Sequence, residues 1–381
     1  MLSCGLVGMP LAGKTTLFEL LTTVQGSADS QTQAAAAKRR TETKLASVPD
    51  NRVTYLSSFF KPKKTTYAQI AFTDIPGLGA AGGSGAGGAG AQRKANPFLE
   101  GVRDADSLIF VLRAFNGGNP SEDLSELETE LVISDLDMAE RRLEKLVARR
   151  NPTTEEAAAK VAIEECLAIL GEGTPLYRAG ELPKGLPGDD SPAEARIPFL
   201  TAKRVIWVVN LDEEGLSNRS YLGRENLMKT AAAQGIPFVE LAAELERQIQ
   251  ALSEEEADVF RQEYNITTSG LELLARAAYD RLNLQSFFTA GDDEVKAWTV
   301  RRGAGAREAA GKIHSDIERG FIRAEVLPYE TFKQLAATLP QAPGNAGERV
   351  LHQAKEKGLL RLEGKDYPVA DGDIINFRFA V

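Results

Sequence analysis

The length, composition and charge of the chain restrict what it can be. Its 381 residues allow two or three domains with sizeable cores, and 43% hydrophobic and 26% charged residues are ordinary for a soluble globular protein. The net charge of -9 excludes general attraction to nucleic acid, two cysteines exclude a disulfide framework, and no apolar run approaches the ~20 residues that span a bilayer.

The first part of the chain predicts buried strands that alternate with helices. Residues 2–8, "LSCGLVG", predict a short buried strand, and "KTTLFELLTT" after it predicts a helix. The polar, Ala-rich residues 27–44 predict a mobile loop. "YAQIAFTDIPG" and "DSLIFVLRAF" predict two further strands, and we expect the Gly- and Ala-rich stretch between them to be flexible.

The middle of the chain predicts a helical insertion. "LVISDLDMAERRLEKLVARR" and "TEEAAAKVAIEECLAIL" have helical periodicity and are joined by "NPTT", which is typical of an antiparallel helical pair. Residues 180–192 predict a linker. "KRVIWVVNLDE" and "IPFVELAA" then return to buried strands, so the pattern indicates a βαβ domain interrupted by helices.

The C-terminal part predicts a separate α+β module. "VKAWTVRRGA", "FIRAEVLPY", "LLRLEGKDYPV" and "DIINFRFAV" predict strands around one helix, "AREAAGKIHSDIERG". The predicted domains are therefore an α/β domain over residues 1–130 and 199–284, a helical insertion over 131–198 and the α+β module over 285–381.

The segment "GMPLAGKT" matches the P-loop pattern G-x-x-x-x-G-K-[ST] between a predicted strand and a predicted helix. The glycines let backbone N–H groups surround a phosphate, and the helix adds the positive end of its dipole. We expect Lys14 to stabilise phosphate charge and the Thr15 hydroxyl to bind Mg²⁺. The predicted nucleotide-binding residues here are Gly8, Met9, Pro10, Leu11, Ala12, Gly13, Lys14, Thr15 and Thr16.

The segment "FTDIPG" supplies the second expected element of a phosphate site. Asp74 ends a predicted strand, where P-loop NTPases hold Mg²⁺ directly or through water, and the Gly77 amide lies where the γ-phosphate is sensed. Leu78 occupies the place where many GTPases have a glutamine that orients water. An apolar side chain cannot do this, so hydrolysis must use another arrangement or be slow.

The segment "VVNLDEEG" lies where GTPases carry N-K-x-D, the sequence that reads guanine. Asn210 ends a buried strand, Leu211 replaces the lysine, and Glu213 replaces the aspartate. The longer Glu213 side chain loses the bidentate geometry that guanine needs, whereas Leu211 offers an apolar lid over a base. These residues predict weakened guanine selectivity, but they do not by themselves establish adenine.

Together these segments resemble the YchF-type Obg-like ATPases, a branch of the translation-factor-related P-loop NTPases. The resemblance covers nearly the whole chain, from "GLVGMPLAGKTTLF" through "VVNLDEEG" to "LRLEGKDYPVADGDIINFRFAV". It implies a P-loop NTPase (G) domain with an inserted α-helical hairpin and a C-terminal ubiquitin-like TGS domain. It also implies an N-x-x-E motif at Asn210 and Glu213 that prefers ATP, and an association with the ribosome.

Several residues depart from the family pattern. Leu11 stands where the family usually has an asparagine that often supports a potassium ion, which leaves potassium dependence open. Lys38 stands where a switch threonine would fall, so Thr41, Thr43 or neither could supply that hydroxyl. Phe110 replaces a family histidine proposed to help hydrolysis. These departures indicate a divergent member with slow turnover.

We therefore expect a cytoplasmic P-loop ATPase that uses Mg²⁺ as its cofactor. The resemblance implies contact with the ribosome through the TGS and helical domains. We expect a monomer with no membrane contact. Two alternatives stay open: a GTPase with relaxed base specificity, and a nucleotide-gated binding module with little hydrolysis.

Overall fold

The computed structural model describes residues 2–23, 41–78, 97–180, 198–264, 266–338 and 345–380. Predictions on Lys38, on the Gly- and Ala-rich residues 79–96 and on most of the 180–192 linker lie outside these ranges. The chain divides into two compact units, Met1–Leu45 with Ala71–Ala278, and Ala46–Ile70 with Tyr279–Val381.

The strands in chain order are β1 (Ser3–Gly8), β2 (Glu42–Val48), β3 (Lys64–Thr66), β4 (Ala68–Asp74), β5 (Ser107–Arg113), β6 (Arg204–Asn210), β7 (Phe238–Leu241), β8 (Leu284–Ala290), β9 (Glu294–Arg301), β10 (Phe321–Pro328), β11 (Arg361–Glu363) and β12 (Asp373–Phe379). The helices are α1 (Lys14–Thr22), α2 (Asn51–Phe60), α3 (Pro97–Asp104), α4 (Pro120–Val147), α5 (Thr154–Gly171), α6 (Glu213–Asn218), α7 (Arg224–Ala233), α8 (Ala243–Gln250), α9 (Glu254–Glu263), α10 (Gly270–Arg281), α11 (Ala306–Ile313), α12 (Ser315–Arg319), α13 (Tyr329–Thr338) and α14 (Ala346–Glu356).

The first sheet has the order β2-β4-β1-β5-β6-β7. Its strands β4, β1, β5, β6 and β7 run parallel to one another. β5 and β6 are almost entirely buried, as their continuous apolar sequences predict for a sheet covered on both faces. Within this sheet the chain passes from β1 to the edge strand β2, then to β4 beside β1, and then to β5 on the other side of β1. The carboxyl ends of these strands form the edge where such sheets bind ligands, which confirms the predicted P-loop α/β fold.

The inserted helices α4 and α5 pack through buried apolar side chains, including Val132, Ile163 and Leu170. The pair is longer than predicted, because α4 begins at Pro120 rather than near residue 131. Asn119 caps this helix by accepting a hydrogen bond from the Ser121 N–H, and proline is favourable at a first helical position. In the described ranges no helix has both the length and the hydrophobicity needed to cross a bilayer.

The second unit contains the predicted C-terminal α+β module. Its sheet has the order β11-β10-β12-β8-β9-β3, with β8 and β9 forming an antiparallel pair and β12 lying parallel beside β8. The core joins the sheet to α11 through residues such as Phe287, Ala309 and Phe377. This arrangement confirms the ubiquitin-like fold expected at the C-terminus.

The structure differs from the predicted boundaries around residue 46. Ala46–Ile70 belong to the second unit, since β3 pairs with β9 and the Phe60 ring stacks on Phe332 at 5.8 Å. The prediction of a loop over residues 27–44 was wrong at its C-terminal end, because β2 begins at Glu42. Only Ala46 and Val48 of β2 are buried, so this edge strand has too weak an alternation to be recognised.

Candidate functional site

The P-loop connects β1 to α1 through two left-handed residues. Gly13 has φ +91°, and a Cβ there would lie 2.3 Å from Asn210 Nδ2, so glycine is required for this close approach. Leu11 has φ +65° although it is not a glycine, and its side chain is 84% exposed. Non-glycine residues adopt this conformation at a cost, and such positions cluster at functional loops.

Lys14 is held at the base of this loop. Its Nζ donates hydrogen bonds to the carbonyl oxygens of Gly8 at 3.1 Å and Met9 at 2.9 Å, and the side chain is buried. Burial lowers the pKa of Lys14, and the nearby Asp74 carboxylate opposes this shift. A Cβ on Gly77 would lie 3.0 Å from this Nζ, so Gly77 permits the "DIPG" turn to approach the lysine.

Thr15 and Asp74 meet beside Lys14, as predicted for a Mg²⁺ site. The Thr15 hydroxyl donates to Asp74 Oδ2 at 2.8 Å, while Asp74 Oδ1 is buried and has no hydrogen-bond partner among the described residues. Burial raises the pKa of Asp74, with Thr15 and Lys14 opposing the shift. A buried, unpartnered carboxylate oxygen next to a hydroxyl fits Mg²⁺, which prefers oxygen ligands of this kind.

A cleft of about 420 Å³ opens at this edge of the sheet, within the 300–1,000 Å³ range of small-molecule sites. The P-loop forms one end, and apolar side chains with the first turn of α8 form the other. Its lining residues are Leu11, Gly13, Lys14, Thr15, Thr16, Phe115, Asn210, Leu211, Ala243 and Glu244.

Asn210 braces this cleft with both ends of its amide. Its Nδ2 donates to the Ala12 carbonyl oxygen at 3.0 Å, and its Oδ1 accepts from the Ala243 N–H at 3.0 Å. The side chain is 4% exposed. It therefore braces the P-loop against α8.

Replacing Asn210 with alanine should loosen both ends of the cleft. Two buried hydrogen bonds are lost and two backbone groups are left unpaired, so we expect the free energy of unfolding to fall by about 2–3 kcal/mol. Nucleotide affinity should fall about tenfold or more in isothermal titration calorimetry at a temperature where the variant is folded. Unchanged affinity would contradict the bracing role.

The remaining predicted base-site residues take different positions. Leu211 is only 3% exposed but lines the cleft. Glu213 does not line it; this residue begins α6, and its carboxylate accepts a hydrogen bond from the Tyr264 hydroxyl. Its assignment as a base-reading residue stays a prediction.

The candidate switch threonines lie away from the cleft lining, and so do Phe110 and Leu78, which replace a family histidine and the water-orienting glutamine. Thr43 shares a hydrogen bond with Thr73 at 2.9 Å, and Thr41 is an exposed residue just before β2. Phe110 is fully buried in the middle of β5 and packs against Tyr177. Leu78 packs against the same hydrophobic core, which is consistent with a residue that cannot orient water.

Sequence reasoning missed three residues of the cleft, Phe115, Ala243 and Glu244. A usable signal existed for Phe115, because it follows the buried strand β5 at the same sheet edge as Asn210. Its position is fixed by a turn in which its carbonyl oxygen accepts from the Gly118 N–H at 3.0 Å. The α8 residues join the cleft through Asn210, a tertiary contact with no local signature.

Comparisons with known proteins agree with this architecture. A family model described as "50S ribosome-binding GTPase" matches residues 3–148. The model of the YchF GTPase C-terminal domain, described as "Protein of unknown function (DUF933)", matches residues 284–380.

Full-length relatives and a solved structure cover nearly the whole chain. The ribosome-binding ATPase YchF of Escherichia coli O157:H7 is 36% identical over 390 residues, covering 99% of each chain. The protein with the same name in Bacillus subtilis is 35% identical over 394 residues, covering 100% of both. The solved Schizosaccharomyces pombe YchF GTPase aligns with a TM-score of 0.74 and 29% identity, over 99% of this chain and 97% of that one. The chain therefore belongs to the YchF family of P-loop NTPases.

Proposed function

We propose that the protein binds ATP with Mg²⁺ and hydrolyses it slowly to ADP and phosphate. The observation that supports this most strongly is the convergence, in one cleft region, of a phosphate-binding loop, a Thr15–Asp74 oxygen pair and an apolar end formed by Phe115 and Leu211. YchF relatives named as ribosome-binding ATPases support the same activity.

The phosphate end of the cleft would act by positioning and charge stabilisation. Backbone N–H groups of residue 9 and residues 11–15 and the start of α1 would surround the phosphates, and Lys14 is already desolvated and aimed by two carbonyl oxygens. Thr15 and Asp74 would hold Mg²⁺, which neutralises charge on the transferred phosphoryl group. Leu78 offers no hydrogen bond to the attacking water, so we expect turnover to be slow.

The opposite end of the cleft favours adenine over guanine. Phe115 and Leu211 provide apolar surfaces on which a purine ring can pack, whereas the Asn210 amide is engaged at both ends by the protein. Guanine presents two donors that need an acceptor. The Glu213 carboxylate does not line the cleft, and the Glu244 carboxylate that does line it is paired with the Arg247 guanidinium. An unmatched donor in a buried site costs about 1–3 kcal/mol.

We further propose that the nucleotide state regulates a ribosome-bound form of the protein. The names of the relatives, ribosome-binding ATPases, support the ribosome contact. We propose also that the protein is a cytoplasmic monomer that contacts the ribosome through its C-terminal and helical regions. The apolar Leu78 also favours a second candidate function, a nucleotide-gated binding module in which hydrolysis is incidental.

A titration of ATP against GTP with Mg²⁺ tests the base assignment. We expect ATP to bind about tenfold more tightly than GTP, because one unpaired donor on guanine costs about that much in binding free energy. Tighter binding of GTP would overturn the assignment and favour the relaxed GTPase. Single-turnover hydrolysis with and without ribosomes separates the enzyme from the binding module, since phosphate release at the buffer rate in both cases would reject the enzyme.

A further inference from the structure

The Glu213 carboxylate is restrained by a residue that lies far from it in sequence. Tyr264 follows α9, and its hydroxyl donates a hydrogen bond to Glu213 Oε1 at the first residue of α6. This bond raises the pKa of Tyr264, because ionising a phenol that donates to a carboxylate would place two negative charges together. Glu213 therefore accepts a hydrogen bond from the Tyr264 hydroxyl, and it does not line the cleft.

The ring of Tyr264 is itself held in place by packing. It lies 5.0 Å from the Phe260 ring and contacts an apolar cluster that includes Leu216 of α6 and Leu245 of α8. These two helices flank the base end of the cleft, because α6 follows Leu211 closely and α8 begins at Ala243. The Tyr264 ring therefore packs on the same two helices, α6 and α8, that flank the base end of the cleft.

We propose that Tyr264 is a positioning residue that determines base specificity by holding the Glu213 carboxylate outside the base site. This inference rests on the proposed nucleotide-binding function. Glu213 lies three residues after Asn210, the position from which a carboxylate can accept from the ring and exocyclic N–H groups of guanine. A Glu213 carboxylate held by Tyr264 cannot accept from those donors, and the Glu244 carboxylate at the cleft is already paired with the Arg247 guanidinium. Adenine does not require a charged acceptor.

The decisive variant is Tyr264→Phe, which keeps the aromatic packing and removes only the hydroxyl. We expect the affinity for GDP, measured by calorimetry with Mg²⁺, to rise about fivefold, the value of one added hydrogen bond, while ADP affinity stays within twofold. In the double variant Y264F/E213Q the released side chain has no charge, and the GDP gain should disappear.

Tyr221→Phe is the matched control. The Tyr221 hydroxyl donates to Glu240 Oε1 at 2.8 Å in the same unit, and neither residue lines the cleft. This variant should leave the GDP to ADP affinity ratio unchanged.

Three results would overturn the inference. The first is an unchanged GDP to ADP ratio in Y264F, the second is an equal loss of both affinities, and the third is a GDP gain that persists in Y264F/E213Q. Failure of the proposed function is a separate result, because it would be seen in the unaltered protein as weak binding of both nucleotides or preference for GDP.

Discussion

Replacing Asp74 with asparagine should lower Mg²⁺-dependent ATP hydrolysis by about 100-fold while making the protein slightly more stable. The loss follows because Asp74 supplies the only carboxylate paired with Thr15 in the described site, and an amide is a poor ligand for Mg²⁺. The gain follows because Asp74 Oδ1 is buried and unpartnered among the described residues, so the ionised side chain is costly in the folded state. Single-turnover phosphate release and thermal unfolding measure the two effects.

The stability gain should depend on pH in a defined direction. Since folding raises the pKa of Asp74, the folded state holds its proton at a pH where the unfolded state has lost it. Wild-type stability therefore falls as the pH rises from the ordinary carboxyl value of about 4 through the folded pKa. The advantage of D74N should be about 1 kcal/mol at pH 7 and should vanish near pH 4. A variant less stable than wild type at pH 7 would contradict this account.

Replacing Gly13 with alanine should unfold or severely weaken the P-loop region. The φ of +91° is unfavourable for alanine, and the new Cβ would lie 2.3 Å from Asn210 Nδ2. Asn210 cannot yield without breaking its buried hydrogen bonds to Ala12 and Ala243. We expect a loss of about 3–4 kcal/mol in the free energy of unfolding and no measurable nucleotide binding.

The variant Gly173→Ala is a control that separates the cost of a positive φ from the clash with Asn210. Gly173 also has a positive φ, +75°, but a Cβ there meets nothing within 4 Å among the described residues. This control should lose only about 1 kcal/mol, the cost of the left-handed backbone. Similar losses in denaturant unfolding of the two variants would show that the Asn210 contact is unimportant.

Local sequence was sufficient to predict the P-loop and the position of Asp74 beside it. The spacing of Gly8, Gly13 and Lys14 fixes the geometry of the loop, and a strand that ends at Asp74 brings a carboxylate to the same edge. Both inferences use only short segments whose conformation is set by their own residues. The parallel sheet followed from continuous apolar runs such as β5.

The base end was less predictable because it depends on contacts between distant residues. Glu213 and Tyr264 are separated by 51 positions, and no pattern in either segment indicates their hydrogen bond. The family resemblance drew attention to Phe110 in the middle of β5, yet the cleft is lined by Phe115, which follows the same strand. The start of α4 was missed because its cap, Asn119, precedes a proline that reads equally well as a turn.

The discontinuous make-up of the second unit has a consequence for synthesis on the ribosome. Ala46–Ile70 leave the ribosome early, but the rest of their unit, from Tyr279 onward, follows about 200 residues later. At about 5–20 residues per second this delay is roughly 10–40 s, during which Phe60 and its neighbours lack their native partners. The nascent chain must therefore keep an apolar segment from aggregating until the rest of its unit has been synthesised.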